Sequence, residues 1–289
     1  MPDGLVLVHK RTGISSHAVL GPIKRSLGTR KVGHTGTLDP FADGLILALV
    51  GRATRLAQWF SPLSKCYCGV IEIGTETNTL DTEGTPVADG PIVPFETIAA
   101  AASRFVGQIE QSPPLYSAVH VNGTRAYQLA REGKSAEMPT RMVTINRLDV
   151  VPIDETHVQL NVCCSTGTYI RSLARDIAYA AGTRGYLAGL TRESIGPFSD
   201  ADAIAPELVD ATRVVSPEEV VRKLPGLPTV TAKDRYVSVL CNGGRIGDDS
   251  FREGTGYTDG EYAAVASSGD LLAIVERSGA RWHYRAVFR

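Results

Sequence analysis

The run Gly33-His34-Thr35-Gly36-Thr37-Leu38-Asp39-Pro40 sets one carboxylate and one imidazole among small residues. Small side chains let a ligand approach the backbone closely, and Pro40 restricts Asp39 to extended conformations. Such a run can hold a carboxylate in a fixed position, where it can act as a nucleophile. The same residues also suit an Asx-turn, in which Asp39 bonds only its local backbone. A metal role would need partner ligands that this stretch lacks. Cys66-x-Cys68 and Cys163-Cys164 are the other ligand types in view, but no second Cys-x-x-Cys or His pair completes a tetrahedral set. They read as small buried hydrophobes, and an odd total of five cysteines argues against a disulfide framework.

The elements that must carry these residues follow from periodicity and punctuation. Leu5 to Val8 reads as a strand. Ser15 or Ser16 can cap a helix with Val19, Ile23 and Leu27 on one face, stopped by Gly28. Residues 28–43 have no periodicity and form a loop, followed by a buried strand over Gly44 to Val50. Lys65 to Ile73 is a strand with Tyr67, Ile71 and Ile73 on one face. Helices are expected over Pro94 to Val106, over Ala126 to Arg131 (ended by Gly133) and over Tyr169 to Ala181. Strands are expected over Met142 to Val151, Val158 to Cys164 and Tyr186 to Ile195. Strands and helices interleave without a regular βαβ rhythm, so the fold class is α+β: a mixed, mostly antiparallel sheet flanked by helices. After Pro225-Gly226-Leu227-Pro228 come short strand-like runs (Val237–Leu240, Tyr262–Ala266, Leu271–Val275, Trp282–Val287). They predict a separate small all-β barrel or sandwich, dividing the chain into 1–227 and 228–289.

Hydrophobic residues make up 43% of the 289 and charged ones 21%, an ordinary globular balance. No apolar run is long enough to span a bilayer, and the N-terminus lacks a signal-peptide pattern, so the cytoplasm is the expected compartment. Net charge is −1, which by itself offers nothing to a polyanion. Its distribution does: residues 1–65 hold nine basic against three acidic side chains, and residues 66–115 hold one against seven. That split suggests a one-sided basic surface of the kind a polyanion needs, though an ordinary dipolar protein would also show it. Residues 229–289 balance eight bases against eight acids, so charge gives that region no pull on RNA.

Lys31-Val32-Gly33-His34-Thr35-Gly36-Thr37-Leu38-Asp39-Pro40-x-Ala42-x-Gly44-Leu45 resembles the signature of the bacterial tRNA pseudouridine-55 synthases, the TruB family. Further blocks resemble the family in the same order: Gly13-x-Ser15-Ser16; Lys65-x-Tyr67 with Gly74-x-x-Thr77-x-Thr79-x-Asp81-x-x-Gly84; Pro113-Pro114-x-Tyr116-Ser117-Ala118 with Ala126-Tyr127-x-x-Ala130-Arg131-x-Gly133; Gly167-Thr168-Tyr169-Ile170-Arg171-Ser172-Leu173; and Leu190-x-Arg192 with Ile195-Gly196-Pro197-Phe198. Together they run from residue 5 to about residue 200. The chain departs from the family at His9-Lys10-Arg11, where Asp-Lys-Pro is usual, at His120, where lysine is usual, and at Gly185-Tyr186.

The resemblance implies a pseudouridine synthase fold and an isomerase that converts the T-loop uridine of tRNA (position 55) to pseudouridine without a cofactor. It implies Asp39 as nucleophile toward the base or the ribose, with Arg171 paired to it to keep it ionised and oriented. Tyr67 would stack on the uracil and assist proton removal from carbon 5, and Tyr169 and Leu190 would line the same pocket. His34 would occupy the space left by the flipped base or touch its phosphate. Periodicity alone reads Tyr67, Tyr169 and Leu190 as plain core residues. The region from Pro228 resembles a PUA-type RNA-binding module, mainly through its position and the Leu240-x-Asn242-Gly243-Gly244 turn. The partner implied is tRNA, through its T stem-loop, with no membrane, no metal and no protein partner, and with the chain a monomer. Two other readings stay open: a tRNA-binding protein that assists folding, with chemistry secondary, and the guide-RNA-dependent branch of the family.

Overall fold

The computed structural model describes residues 2–121, 123–132 and 137–288; Gly133, the expected stop of the helix Ala126–Arg131, lies outside them. Among the described residues the largest unit is a nine-stranded sheet. Its main path runs Gly4–Lys10, Asp43–Val50, Gly185–Ile195, Lys65–Ile73, His157–Cys164, Arg141–Pro152 and Gly107–Gln111, with Val32–His34 and Phe198–Ser199 attached beside it. Every pairing is antiparallel except that of Asp43–Val50 with Gly185–Ile195, which is parallel at Thr191↔Asp43 and Arg192↔Gly44. The mixed, mostly antiparallel sheet expected from the sequence is therefore present.

Asp43–Val50 explains its own unbroken hydrophobicity. Successive strand side chains point to opposite faces, and here both faces are covered. Ile46, Ala48 and Val50 join one core with helices Leu20–Ser26, Phe95–Ala102 and Ile170–Ala180. Leu45, Leu47 and Leu49 join a second core with Val220, Ala263, Leu271, Ile274 and Phe288 from the C-terminal part of the chain. A strand buried on both faces reads as an apolar run rather than an alternating one.

The C-terminal region departs from expectation in two ways. Its strands Thr229–Thr231, Gly260–Val265, Leu271–Ser278 and Arg281–Val287 form an open four-stranded sheet, not a barrel. The two edge strands, Thr229–Thr231 and Arg281–Val287, do not bond each other. Val237–Cys241 is an α-helix and not a strand. A four-residue apolar run cannot be assigned by periodicity alone, and here the i, i+3 pair Val237 and Leu240 packs into a third core around Phe251, Tyr262 and Trp282. Nearer the N-terminus, the helix begins at Leu20 and has no side-chain cap; Ser15 Oγ accepts from Ala18 N in the turn before it, and Ser16 is engaged elsewhere. The loop 28–43 also contains the short strand Val32–His34.

The cysteine reading needs correcting as well. Cys66 and Cys163 form a disulfide. They face each other in the antiparallel register of Lys65–Ile73 and His157–Cys164, with Cα atoms 4.1 Å apart. An odd total argues against a framework of bridges but leaves room for one, and 97 residues of separation hide this pair from any local pattern. Cys68 and Cys164 remain thiols.

Peptide mapping without reductant should recover the peptides bearing Cys66 and Cys163 joined. Reduction should then lower the unfolding free energy by about 2–4 kcal/mol, the usual contribution of a bridge closing a long loop. Denaturant titration with and without dithiothreitol measures it; identical midpoints would mean the bridge contributes nothing.

Candidate active site

Asp39 lies in the loop between Val32–His34 and Asp43–Val50. Backbone in a loop has no ladder to satisfy its carbonyls, and here buried side chains from three other segments do so. Lys10, fully buried, donates from Nζ to the carbonyls of Ala42 (2.6 Å), Ile14 (2.9 Å), Arg11 (3.0 Å) and Pro40 (3.2 Å). Arg192, only 2% exposed, donates from Nε to Leu45 O (2.8 Å) and from Nη1 and Nη2 to Thr37 O and Gly36 O (3.2 Å each). Ser16 Oγ donates to Leu38 O and accepts from Leu38 N, both at 2.8 Å. Gly44 permits the close parallel approach of Gly185–Ile195: its φ is +104°, and a Cβ there would lie 2.4 Å from Arg192 O. The first turn, where His9-Lys10-Arg11 departs from the family, is thus held by Lys10 itself. Burial lowers the Lys10 pKa, opposed by the Asp43 and Asp39 carboxylates.

Arg171, 4% exposed, is the second residue of helix Ile170–Ala180. Its Nε lies 2.9 Å from Asp39 Oδ2 and its Nη1 3.2 Å from Asp81 Oδ2. The Asp39 contact is an ion pair out of line with the N–H bond rather than a directed hydrogen bond. Nη1 and Nη2 donate to Thr79 O (2.8 Å) and Tyr116 O (3.1 Å). One guanidinium therefore serves two carboxylates and two carbonyls, and the Asp39 side chain keeps 36% of its surface open. Asp81 is buried and accepts at Oδ1 from Thr79 Oγ1 (2.5 Å) and Glu83 N (3.0 Å). Burial still raises its pKa, with Thr79 and Arg171 opposing.

Tyr169 immediately precedes the same helix. Its N–H donates to Gln111 Oε1 at 2.8 Å, and Gln111 Nε2 donates back to its carbonyl at 3.1 Å. Tyr67 and Leu190 stand on the neighbouring strands Lys65–Ile73 and Gly185–Ile195, where Tyr67 pairs with Arg192. Burial raises the Tyr67 pKa and Arg192 opposes, so the side chain is a neutral phenol at pH 7. Lys65 Nζ donates to Ser61 O (2.8 Å) and Leu63 O (2.5 Å), and burial, helped by Arg192, pulls its pKa down to about 8. Two of the nine N-terminal cations, Lys10 and Lys65, thus face buried carbonyls instead of the surface that the charge count suggests.

Asp39, Tyr67, Tyr169, Arg171 and Leu190 together line a cavity of about 500 Å³, with Lys65, Arg141 and Arg192 also in its wall. The structure brings five of the six sequence-nominated residues to one place. His34 is not in that wall; its Nδ1 is buried with no hydrogen-bond partner among the described residues. Burial, with Arg192 and His17, lowers its pKa, so the imidazole is neutral at pH 7. Sequence reasoning assigns no role to Lys10, Asp81, Arg141 or Gln111, and it gives Ser16 only that of a helix cap. Lys10, Ser16 and Asp81 sit inside or beside the family-like blocks, so their positions are visible while their partners are not. Gln111 and Arg141 lie outside the blocks and carry no signal. No cluster of three or more His, Cys, Asp or Glu suited to a metal occurs among the described residues. No helix among them is long and apolar enough to cross a membrane.

A family model described as "TruB family pseudouridylate synthase (N terminal domain)" matches residues 24–170. A tRNA pseudouridine synthase B of Clostridium kluyveri is 40% identical over 251 residues, which is 86% of this chain and 87% of that one. The protein of the same name from Shouchella clausii is 37% identical over 290 residues, 95% of this chain and 93% of its own. Among solved structures, a chain of "a Cbf5-Nop10-Gar1 Complex" superposes with a TM-score of 0.74 at 24% identity, covering 99% of this chain and 85% of that chain. At that identity the likeness shows the fold, the pseudouridine synthase fold.

The lowered Lys65 pKa has a stability consequence. The folded chain binds this proton more weakly than the unfolded chain, whose lysine titrates near 10.5. The cost is therefore fully present below pH 8 and is relieved as pH rises through 8 toward 10.5. The stability of the native protein relative to Lys65→Met should rise by roughly 3 kcal/mol at most between pH 7 and 10.5. Denaturant titrations of both proteins across that range provide the check, and a difference independent of pH would contradict the assignment.

Proposed function

The chain belongs to the TruB family of pseudouridylate synthases, and from that premise we propose that Asp39 is its catalytic nucleophile and the T-loop uridine at position 55 its target. The protein is an enzyme that isomerises uridine to pseudouridine in tRNA. The glycosidic bond from nitrogen 1 is broken, the uracil turns, and carbon 5 is joined to the ribose in its place.

The observation that carries the proposal is the Asp39–Arg171 pair at 2.9 Å, with Arg171 buried and Asp39 open to the cavity. The buried guanidinium sets a positive charge beside the Asp39 carboxyl and orients it at the cavity wall. Arg171 is itself shared with Asp81, which holds it in place. The target uridine leaves the folded T loop and enters the cavity. There it stacks on Tyr67 and packs against Leu190, and Tyr169 closes the side beside Arg171. Tyr67, neutral at rest, relays the proton that carbon 5 must lose. His34 acts outside the cavity, against the emptied stack. We further propose that residues 1–227 form the catalytic unit and 228–289 a PUA-like RNA-binding unit, and that the enzyme works as a monomer in the cytoplasm, without a cofactor.

Tritium release from carbon-5-labelled uridine in unmodified tRNA tests the proposal. Native protein should release it with no added guide RNA; Asp39→Asn should fall to background. Arg171→Met should lose at least about a thousandfold in turnover, since it removes the cation from between two carboxylates. Equal release by native protein and Asp39→Asn would remove Asp39 from the chemistry, and release that requires a guide RNA would move the chain to the guide-dependent branch.

A further inference from the structure

Arg141 begins the strand Arg141–Pro152 and stands in the wall of the same cavity. Its guanidinium carbon lies over the Tyr169 ring, 4.8 Å from the centroid. Gly167, with φ +86°, passes on another side, where a Cβ would make ordinary contact with Arg141 Nη1 at 3.4 Å. Nε and Nη2 are shut off from solvent, yet neither has a hydrogen-bond partner among the described residues. No carboxylate among them lies within ion-pair distance of Arg141, whereas Arg171 across the cavity has two. Donors closed to solvent are normally satisfied, and Arg141, partly buried as a residue, leaves two of its own without a partner while Nη1 stays open. Arg192 illustrates the norm, spending all three of its nitrogens on carbonyls.

A cation left unpaired in a cavity that takes an RNA nucleotide calls for an anion supplied by that RNA. The carbonyls of uracil are neutral and leave the charge unbalanced, whereas a phosphodiester brings the balancing charge together with an acceptor oxygen for the open Nη1. We infer that Arg141 binds a phosphodiester flanking the target uridine, and that while doing so it holds Tyr169 flat against the cavity. Arg141 is in this sense a substrate-positioning residue: it fixes the backbone of the turned-out nucleotide while Asp39 and Tyr67 act on its base and sugar. The inference rests on the cavity being the uridine site, and the readouts are chosen so that the two can fail separately.

The test measures equilibrium binding of a synthetic T stem-loop by the Asp39→Asn protein at several salt concentrations, with Arg141 native or changed to Gln or Lys. Arg141→Gln should weaken binding by about tenfold or more. It should also flatten the dependence of log affinity on log salt by about 0.7–0.9, the share of one phosphate. Arg141→Lys keeps the charge, so it should restore the salt slope while KM in the otherwise native enzyme stays raised. Replacing each linkage beside the target uridine by an uncharged methylphosphonate should weaken binding to the protein with native Arg141 at one of them, and cost Arg141→Gln nothing further there. An unchanged salt slope in Arg141→Gln, or a methylphosphonate penalty equal in both proteins, would overturn the inference. Should Arg141→Gln fail to fold, the protein with native Arg141 decides alone: indifference to every neutral linkage beside the uridine would overturn the inference just as firmly. Tritium release by Asp39→Asn, by contrast, bears only on the nucleophile.

Discussion

Asp39 is held in place through the carbonyl oxygens on either side of it. Gly36, Thr37, Leu38, Pro40 and Ala42 all give their carbonyls to buried donors: the Arg192 guanidinium, the Ser16 hydroxyl and the Lys10 ammonium. Hydrogen bonds to charged donors contribute about 1.5–3 kcal/mol each, enough for several of them to fix a loop that has no ladder of its own. The cost is visible in Lys10, whose pKa burial lowers. Because the donors come from the first strand, the turn after it and the last long strand, the loop cannot move without disturbing the sheet.

The sheet order follows from this requirement. Arg192 can reach the loop because Gly185–Ile195 lies parallel to Asp43–Val50 at Arg192↔Gly44, the one parallel pairing between described strands of the sheet. The same strand pairs with Lys65–Ile73 and so brings Leu190 and Tyr67 to the cavity. His157–Cys164 then leads through the turn at Gly167 into helix Ile170–Ala180, which presents Arg171 at its start. The cavity therefore collects residues from six stretches of chain, around Asp39, Tyr67, Tyr116, Arg141, Arg171 and Leu190. Its wall carries Lys65, Arg141, Arg171 and Arg192 against the Asp39 carboxylate. That balance suits a polyanionic substrate even though the net charge of the protein is −1.

Much of this is legible in the sequence where local rules suffice. Lys65 to Ile73 can be read to its final boundaries, because a short apolar, β-prone run stands there between turn signals. The helix that presents Arg171 is placed to within a residue at each end. Asp39 stands out through its neighbours, and the ordered blocks tie Tyr67, Tyr169, Arg171 and Leu190 to it. The misreadings have a common physical form. Val237–Cys241 is a helix because tertiary packing, not periodicity, decides a short apolar run. Cys66 and Cys163 are bonded because sheet register sets them face to face across 97 residues. Ser16 does not cap a helix because Leu38, far along the chain, offers it two bonds.

The sequence by itself determined the type of most long elements, since propensity and punctuation act within a few residues of chain, while its resemblance to the family nominated the residues proposed for the reaction. Only the tertiary structure decided what those residues hold. It made Lys10 and Arg192 clamps of a loop, made Asp81 the second partner of Arg171, left Arg141 unpaired in the cavity wall and kept His34 out of it. Each of these outcomes is set by burial and by which distant carbonyl, carboxylate or ring lies within about 3–5 Å. Such distances are consequences of sheet order and register, which no local pattern encodes.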